Sequence, residues 1–359
     1  MFIMNQVIEF TKASQLKAKP EPSVLGFGKY FTDHMFIMDY NEESGWHAPR
    51  IAPYEPLMLD PSALVFHYGQ AVFEGLKAYR ANDGRVLLFR PDKNIRRLNE
   101  TLHRMCMPTI DEELLLDGLK QLLEIEKDWV PSAEGTSLYI RPFVLATEPF
   151  LGVRPSKSYK LLIILSPVGA YYAGQLTPVK IYVEDEYVRA IQGGVGHVKT
   201  SGNYAASLLA QKKAEHLGYD QVLWLDAKEK KYVEEVGSMN IFFKIKGEIV
   251  TPSLNGSILS GITRDSVITM LKSWGVPVRE ERISIEEVYE AHLRGELEEV
   301  FGTGTAAVIS PVGELNWNDH RMIINENQTG PFSKRLYDEI TQLQYGLTKD
   351  TFGWTMEIK

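Results

Sequence analysis

The sequence predicts a two-domain protein of mixed α+β and α/β architecture, and three observations carry that expectation. At 359 residues the chain exceeds a single typical core, and two domains of about 150 to 180 residues each are the natural division. Amphipathic helical stretches alternate with short apolar runs of strand length, so helices should cover sheets. Between Pro167 and Pro178 the composition changes, with Gly169, Gly174 and the adjacent Tyr171 and Tyr172 separating two strand-like runs, as in an interdomain connection. The expected organisation is a small α/β domain over 1–168, a connecting loop over 169–178 and a second domain over 179–359.

Residues 11–26 are rich in lysine and proline (Lys17, Lys19, Pro20, Pro22) and read as an extended arm, with the fold proper beginning near Phe27. Pro49, Pro53, Pro56 and Pro61 punctuate a loop-rich segment, and 66–80 mixes aromatic and small residues as part helix start, part strand. The run Ala81-Asn82-Asp83-Gly84 predicts a hairpin between strands 76–80 and 86–89. Helices are expected over 92–107, where Ile95, Leu98, Leu102 and Met105 recur at helical spacing, and over 112–130. Strands should follow at 139–145, 160–166 and 179–183. A helix over 204–217 would be capped by Asn203 or Ser201 and stopped by Gly218. Strands at 221–225, 241–245, 248–251 and 298–301, with helices at 262–274 and 285–294, complete the expectation.

Composition narrows the function. Hydrophobic residues make up 44% and charged residues 24%, ordinary for a globular enzyme, and no apolar run approaches the roughly 20 residues that span a bilayer. A net charge of −8 opposes nonspecific attraction to nucleic acid, so small molecules are the expected ligands. Cys106 is the only cysteine, which excludes an intrachain disulfide and a cysteine zinc cluster and fits a reducing cytosol. The first ten residues, with Glu9, lack the basic-then-apolar plan of a signal peptide, so a cytoplasmic location is expected.

The most informative stretch runs from Gly193 to Tyr204, where four glycines and several small residues surround Lys199. A phosphate loop, G-x-x-x-x-G-K-[ST], would take Gly193, Lys199 and Thr200 in register, and the apolar run 222–225 ending in Asp226 resembles a magnesium-binding strand; but Val198 stands where the second glycine must admit phosphate. A dinucleotide fingerprint fails because Lys199 occupies the third small position. A third reading makes Lys199 the Schiff-base lysine of a pyridoxal phosphate enzyme, and a solvated surface lysine is the plain alternative. Partners elsewhere decide. The run Glu234-Glu235-Val236-Gly237 supplies an acid beside a glycine, and either carboxylate could hold a pyridine nitrogen protonated. Gly261, Ile262 and Thr263 open a helix whose free N–H groups suit phosphate. The run 302–307 follows a strand and offers amides and hydroxyls, Thr305 among them.

In order and wording these segments resemble the branched-chain amino acid aminotransferases, fold-type IV pyridoxal phosphate enzymes. The phrases are FTDHM, FEGLKAYR, LFRPDKNIRRLNET, YIRPF, GGVGHVKTSGNYAAS, QVLWLD, EEVGSMNIFF, LNGSILSGITR and FGTGTAAVISPVG, spread from about Phe27 to Val312. The resemblance implies a small α/β N-terminal domain, a larger C-terminal pseudo-barrel carrying the lysine, and a homodimer. It implies that Lys199 bonds pyridoxal 5'-phosphate, Glu235 holds the pyridine nitrogen and Tyr204 the ring hydroxyl. Arg97, the amides of Ile262 and Thr263 beside Gly261, and Thr305 would hold the phosphate, while Leu259 packs on the ring. Phe27, Tyr68, Phe73, Tyr139, Arg141 and Tyr171 would line the substrate pocket, with Ser238 and Ala306 near the α-carboxylate. The implied reaction is ping-pong transamination between leucine, isoleucine or valine and 2-oxoglutarate. D-amino acid aminotransferases and aminodeoxychorismate lyases share the fold, but those relatives are shorter and lack most of the N-terminal phrases. Mammalian members carry a C-x-x-C where this chain has Ala307 and Ser310, so redox control of that kind is not implied.

Overall fold

The protein is described by a computed structural model that covers residues 7–169 and 176–359. The chain divides into two compact units. One takes Met1–Tyr171 together with Lys199–Ser201 and Gln342–Lys359; the other takes Tyr172–Val198 and Gly202–Thr341. The expected division left everything after 178 in the second domain. Strand pairing explains the return of the tail: Thr355–Ile358 joins Val86–Phe89 antiparallel, with Ile358 opposite Val86.

The first unit is built on a nine-stranded sheet. Its order is Glu9–Phe10, Gly45–Pro53, His34–Asn41, Ser158–Val168, Ser137–Ala146, Leu76–Arg80, Val86–Phe89 and Thr355–Ile358, with Ala71–Phe73 paired beside Ser137–Ala146. The helices Pro91–Arg104 and Glu112–Ile125 supply Leu98, Leu102, Leu119 and Leu122 to a core shared with Phe36, Leu88, Ile140 and Leu161 from the sheet. Asp111 caps the second helix, its carboxylate accepting from the Leu114 amide at 2.8 Å. The expected hairpin forms at residues 81–84, with Tyr79 opposite Leu87. Gly45–Pro53 is strand where prolines suggested loop, because Pro49 falls at the register shift between Ile37 and Asp39 and Pro53 is the last residue of the strand.

The second unit also carries a nine-stranded sheet, ordered Val233–Val236, Gln221–Leu225, Val179–Glu184, Val308–Trp317, Leu297–Gly304, Asn240–Ile245, Glu248–Thr251 and Val278–Glu280, with His320–Ile323 on Val308–Trp317. The helices Ser201–His216, Ile262–Ser273, Ile285–Leu293 and Pro331–Gln344 are spaced among these strands. Ile285, Val288 and Ala291 pack with Ile181, Leu223, Ile241, Phe243 and Val300. A capping box, Ser284 with Glu287, starts that helix. The helix after Lys199 begins at Ser201, earlier than expected, and Asn203 lies inside it rather than capping it: its side-chain amide donates to the carbonyls of Val195 and Val198 at 2.8 and 2.9 Å. The run 302–307, expected to follow a strand, is itself strand as far as Gly304, paired with Val308–Ser310, and the turn comes at 305–307.

Candidate active site

In the first unit the segment Phe73-Glu74-Gly75 organises the site. Strand alternation puts Phe73, Lys77, Tyr139 and Arg141 on one face of the sheet, opposite the apolar core under Leu76 and Ile140. Lys199 is fixed there through its backbone: its carbonyl accepts from the Phe73 amide at 3.1 Å and its amide donates to the Thr101 hydroxyl at 3.2 Å. Thr200 continues the attachment, its hydroxyl donating to the Ala71 carbonyl at 2.9 Å. The half-buried Lys199 side chain then places its amine 4.8 Å from the centre of the Phe73 ring. A solvated surface lysine would need no such framework.

Arg141 lies over the same ring at 4.7 Å and over Tyr139 at 5.3 Å, and donates to the Tyr139 hydroxyl at 3.2 Å. Its Nε is buried without a hydrogen-bond partner among the described residues. Phe27 meets Tyr139 edge-on at 4.9 Å. The structure thus assembles Lys199, Phe73, Tyr139, Arg141 and Phe27. Tyr68 stands apart, 43% exposed and with its hydroxyl donating to the Leu151 carbonyl, and Tyr171 lies outside the described residues. Arg97 is buried, its Nε and Nη2 donating to the two oxygens of Glu74 at 2.7 and 2.9 Å.

In the second unit Glu235 occupies the strand Val233–Val236 and is 2% exposed. Arg189 forms a buried ion pair with it, and the Asn240 side-chain amide reaches its Oε1 at 3.3 Å. That same amide donates to the Leu259 carbonyl at 2.9 Å, so one side chain joins the acid to the loop that carries Leu259. Arg189 also donates to the carbonyls of Gly196 and Ser257, drawing the glycine loop before Lys199 against the 255–261 loop. The approach is so close that a Cβ on Gly196 would lie 2.2 Å from the Ser257 oxygen.

Gly261 is the N-cap of the helix Ile262–Ser273 and offers no side chain to its first amides. A Cβ there would lie 2.0 Å from the Asn240 Oδ1, so glycine leaves both the amides and the approach to them open. Thr263 is buried. Thr303, opposite Asn240 in the neighbouring strand, has a buried hydroxyl with no hydrogen-bond partner among the described residues. These are features of an anion cradle, and they fit a phosphorylated cofactor whose ring nitrogen faces an acid. Thr305 and Ala306 lie half-buried in the turn after that strand, and Ser238 is exposed in the turn 236–239. Tyr204 is half-buried in the first turn of the helix Ser201–His216.

Arg189, Asn240 and Glu74 escaped the sequence reading. Asn240 and Glu74 stood inside matched phrases, and Arg189 is a lone basic residue ten positions before Lys199, visible only once Glu235 is beside it. The nucleotide alternative loses its second support as well. Asp226 is spent on its own turn, accepting from the amides of Lys228, Glu229, Lys231 and Tyr232. Burial would raise its pKa, but those N–H groups hold it below the ordinary carboxylate value.

Comparison with known proteins agrees with this geometry. Residues 71–315 match the family model of the amino-transferase class IV proteins. The chain is 68% identical over 356 residues to the branched-chain-amino-acid transaminase 1 of Bacillus subtilis (strain 168), covering 99% of this chain and 100% of that protein. Among solved structures, the Escherichia coli branched-chain amino acid aminotransferase superposes with a TM-score of 0.77 at 27% identity, covering 91% of this chain and 99% of that one. A T.th. branched-chain amino acid aminotransferase solved with pyridoxamine 5'-phosphate superposes with a TM-score of 0.74 at 27% identity, covering 90% and 98%.

Proposed function

The chain belongs to the class IV aminotransferases, and on that premise we infer that it is a branched-chain-amino-acid transaminase dependent on pyridoxal 5'-phosphate. It exchanges the amino group of L-leucine, L-isoleucine or L-valine with 2-oxoglutarate, giving the branched 2-oxo acid and L-glutamate by a ping-pong sequence. The observation that carries the reading is Lys199, its amide and carbonyl both tied down and its amine set against Phe73. Bound there, the cofactor supplies an electron-withdrawing ring that stabilises negative charge at the substrate Cα.

The chain's own residues do the rest. Lys199 would take the proton from the substrate Cα and hand it on, because a tethered amine needs no diffusive step. Glu235 keeps a proton on the pyridine nitrogen, with Asn240 orienting its carboxylate and Arg189 holding it in place. Tyr204 would bond the ring hydroxyl, and Leu259 would lie on the ring face. Arg97, the amides of Ile262 and Thr263 beside Gly261, and the Thr305 hydroxyl would hold the phosphate. Phe27, Phe73 and Tyr139 form an apolar wall for the branched side chain, to which Tyr171 would add; Tyr68, which stands apart in this chain, would add only through the second copy proposed below. Arg141, parked on the Tyr139 hydroxyl, would turn to the glutamate carboxylate when that substrate enters. Ser238 and Ala306 would face the α-carboxylate.

A homodimer is the proposed assembly. Phe66, Tyr68, Leu151 and Val153 are exposed on the first unit, and Met58 is 98% exposed. The 62–68 segment is stitched to 148–151 by Leu64 N to Glu148 O, Phe150 N to Ser62 O and the Tyr68 hydroxyl to Leu151 O, so Phe66, Tyr68 and Leu151 lie on neighbouring segments and expose apolar surface of the kind that a second copy covers. The cytoplasm is the proposed location, supported by the single cysteine, Cys106.

A spectral titration of the purified holoenzyme tests the activity. L-leucine should bleach the visible band of the lysine-bound cofactor, whereas D-alanine should leave it unchanged. Lys199→Ala should lose turnover by about 10⁴-fold or more while remaining folded. A response to D-alanine stronger than to L-leucine would move the chain to another branch of the fold.

A further inference from the structure

Glu74 has no part in the chemistry described so far, yet it is the most completely engaged carboxylate in the first unit. It is 1% exposed. Its Oε1 accepts from Arg97 Nε at 2.7 Å; its Oε2 accepts from Arg97 Nη2 at 2.9 Å, Asn94 Nδ2 at 2.8 Å and the Gly75 amide at 3.1 Å. Its surroundings are otherwise apolar, with Leu76, Ile95, Leu98 and Leu115 lining the space beside it. The Glu74 amide donates to the Pro142 carbonyl at 2.8 Å, so the backbone under the carboxylate is as constrained as the side chain. Burial would push its pKa up, but the charge and hydrogen bonds of Arg97, the charge of Lys199 and the Asn94 amide together hold it below the usual carboxylate range. Held in this way, it meets the Arg97 guanidinium as a carboxylate.

We propose that Glu74 is a positioning residue for the cofactor phosphate, setting the plane and direction of the Arg97 guanidinium before any ligand arrives. A two-point fork fixes a planar guanidinium in a way that a single acceptor cannot. Asn94 makes the fork rigid: it bridges the Glu74 carboxylate and the Gly75 carbonyl at 3.2 Å and sits three residues before Arg97 on the same helix. Glu74 also lies between Phe73, whose amide anchors Lys199, and Gly75, where a Cβ would strike the Tyr139 hydroxyl at 2.1 Å. One tripeptide thus sets the catalytic lysine, the phosphate arginine and the substrate wall in a common register. The inference rests on the reading of Arg97 as a phosphate ligand.

The experiment compares binding of pyridoxal 5'-phosphate and of pyridoxal, which lacks the phosphate, to apoenzyme prepared from the wild type, Glu74→Gln, Arg97→Gln and the double variant. Arg97→Gln should weaken pyridoxal 5'-phosphate strongly and pyridoxal little. Glu74→Gln should show the same selective loss, about 10- to 100-fold for a misdirected charge-assisted contact. In the Arg97→Gln background, Glu74→Gln should add no more than about twofold, since the group it directs is gone. Glu74→Gln strands a buried arginine and Arg97→Gln a buried carboxylate, and either can fail to fold; Glu74→Asp keeps both charges and only draws back the fork, and the same selective loss of pyridoxal 5'-phosphate in that variant decides. Equal loss of both ligands in Glu74→Gln, or a further selective loss on adding it to Arg97→Gln, would overturn the positioning role alone. An Arg97→Gln protein that binds both ligands as the wild type does would overturn the phosphate reading beneath it.

Discussion

The proposed role of Arg141 is to let one pocket accept an uncharged branch and then a carboxylate. Its charge rests on two aromatic faces and one tyrosine hydroxyl, contacts that on the proposed reading would give way to a substrate carboxylate and would hold the cation aside when leucine is bound. Arg141→Met should raise KM for 2-oxoglutarate by about 10- to 100-fold, the equivalent of a lost charge-assisted bond, and leave the leucine half-reaction within a few-fold. Stopped-flow half-reactions with each substrate measure this, and equal damage to both would remove the two-substrate role. Lys77, on the same sheet face, makes a different point. Burial depresses its pKa from 10.5 to about 8. The folded state therefore binds fewer protons than the unfolded one between these values, and stability should rise with pH across that window. Below pH 8 the penalty is fully present, on the order of 3 kcal/mol. Lys77→Met should be more resistant to denaturant than the wild type at pH 7, with the advantage shrinking as pH rises from 8 towards 10.5. A gap independent of pH would mean that the ammonium is not what the fold disfavours.

The loop before Lys199 is an element whose sequence composition and packing have separate explanations. Glycines at 193 and 196 look alike in the sequence, but Gly193 adopts a positive φ of 84° while Gly196 is needed for contact. The Ser257 carbonyl and the Ala190 Cβ lie 2.2 and 2.3 Å from where a Gly196 Cβ would be. Gly196→Ala should push the two loops apart, lowering stability by about 1 to 3 kcal/mol and weakening cofactor binding through the 255–261 loop and the helix start that follows it. Denaturant melts and a cofactor titration check both effects, and an alanine variant indistinguishable from the wild type would show that the loops can yield. Helix and hairpin positions in this chain follow from local pattern. The N-cap at Gly261 does not: glycine is a modest cap by itself, and its use there makes sense only beside the Asn240 side chain.

For the whole chain, the return of the C-terminus to the first unit matters most. Thr355–Ile358 covers Val86–Phe89, four buried residues that would otherwise be an exposed apolar edge, and the Arg90 amide donates to the Trp354 carbonyl at 2.7 Å. Deleting residues 350–359 should lower the melting midpoint and favour aggregation, read by thermal denaturation and size-exclusion chromatography. A truncated protein with the wild-type midpoint and elution volume would show that the edge does not need its cover.

Much of this protein was legible from its residues alone. Periodicity located the helices at Pro91–Arg104, Glu112–Ile125 and Ile262–Ser273, and turn chemistry located the 81–84 hairpin, because both depend on interactions within a few positions. The ordered phrases around Lys199, Glu235 and Gly261 identified the chemistry. Three matters needed the folded chain. Asn203 proved to be a brace within a helix rather than its cap; the run at 302–304 proved to be strand; and the chain after 178 proved to contribute to both units. Tertiary structure alone brought Glu74 to Arg97 and Arg189 to Glu235, 23 and 46 residues apart in sequence. Local pattern reports which way a side chain faces along its own element. Which buried charge meets which is decided when separate elements close on one another, because a carboxylate or guanidinium leaves water only where a partner of opposite charge is already held in reach.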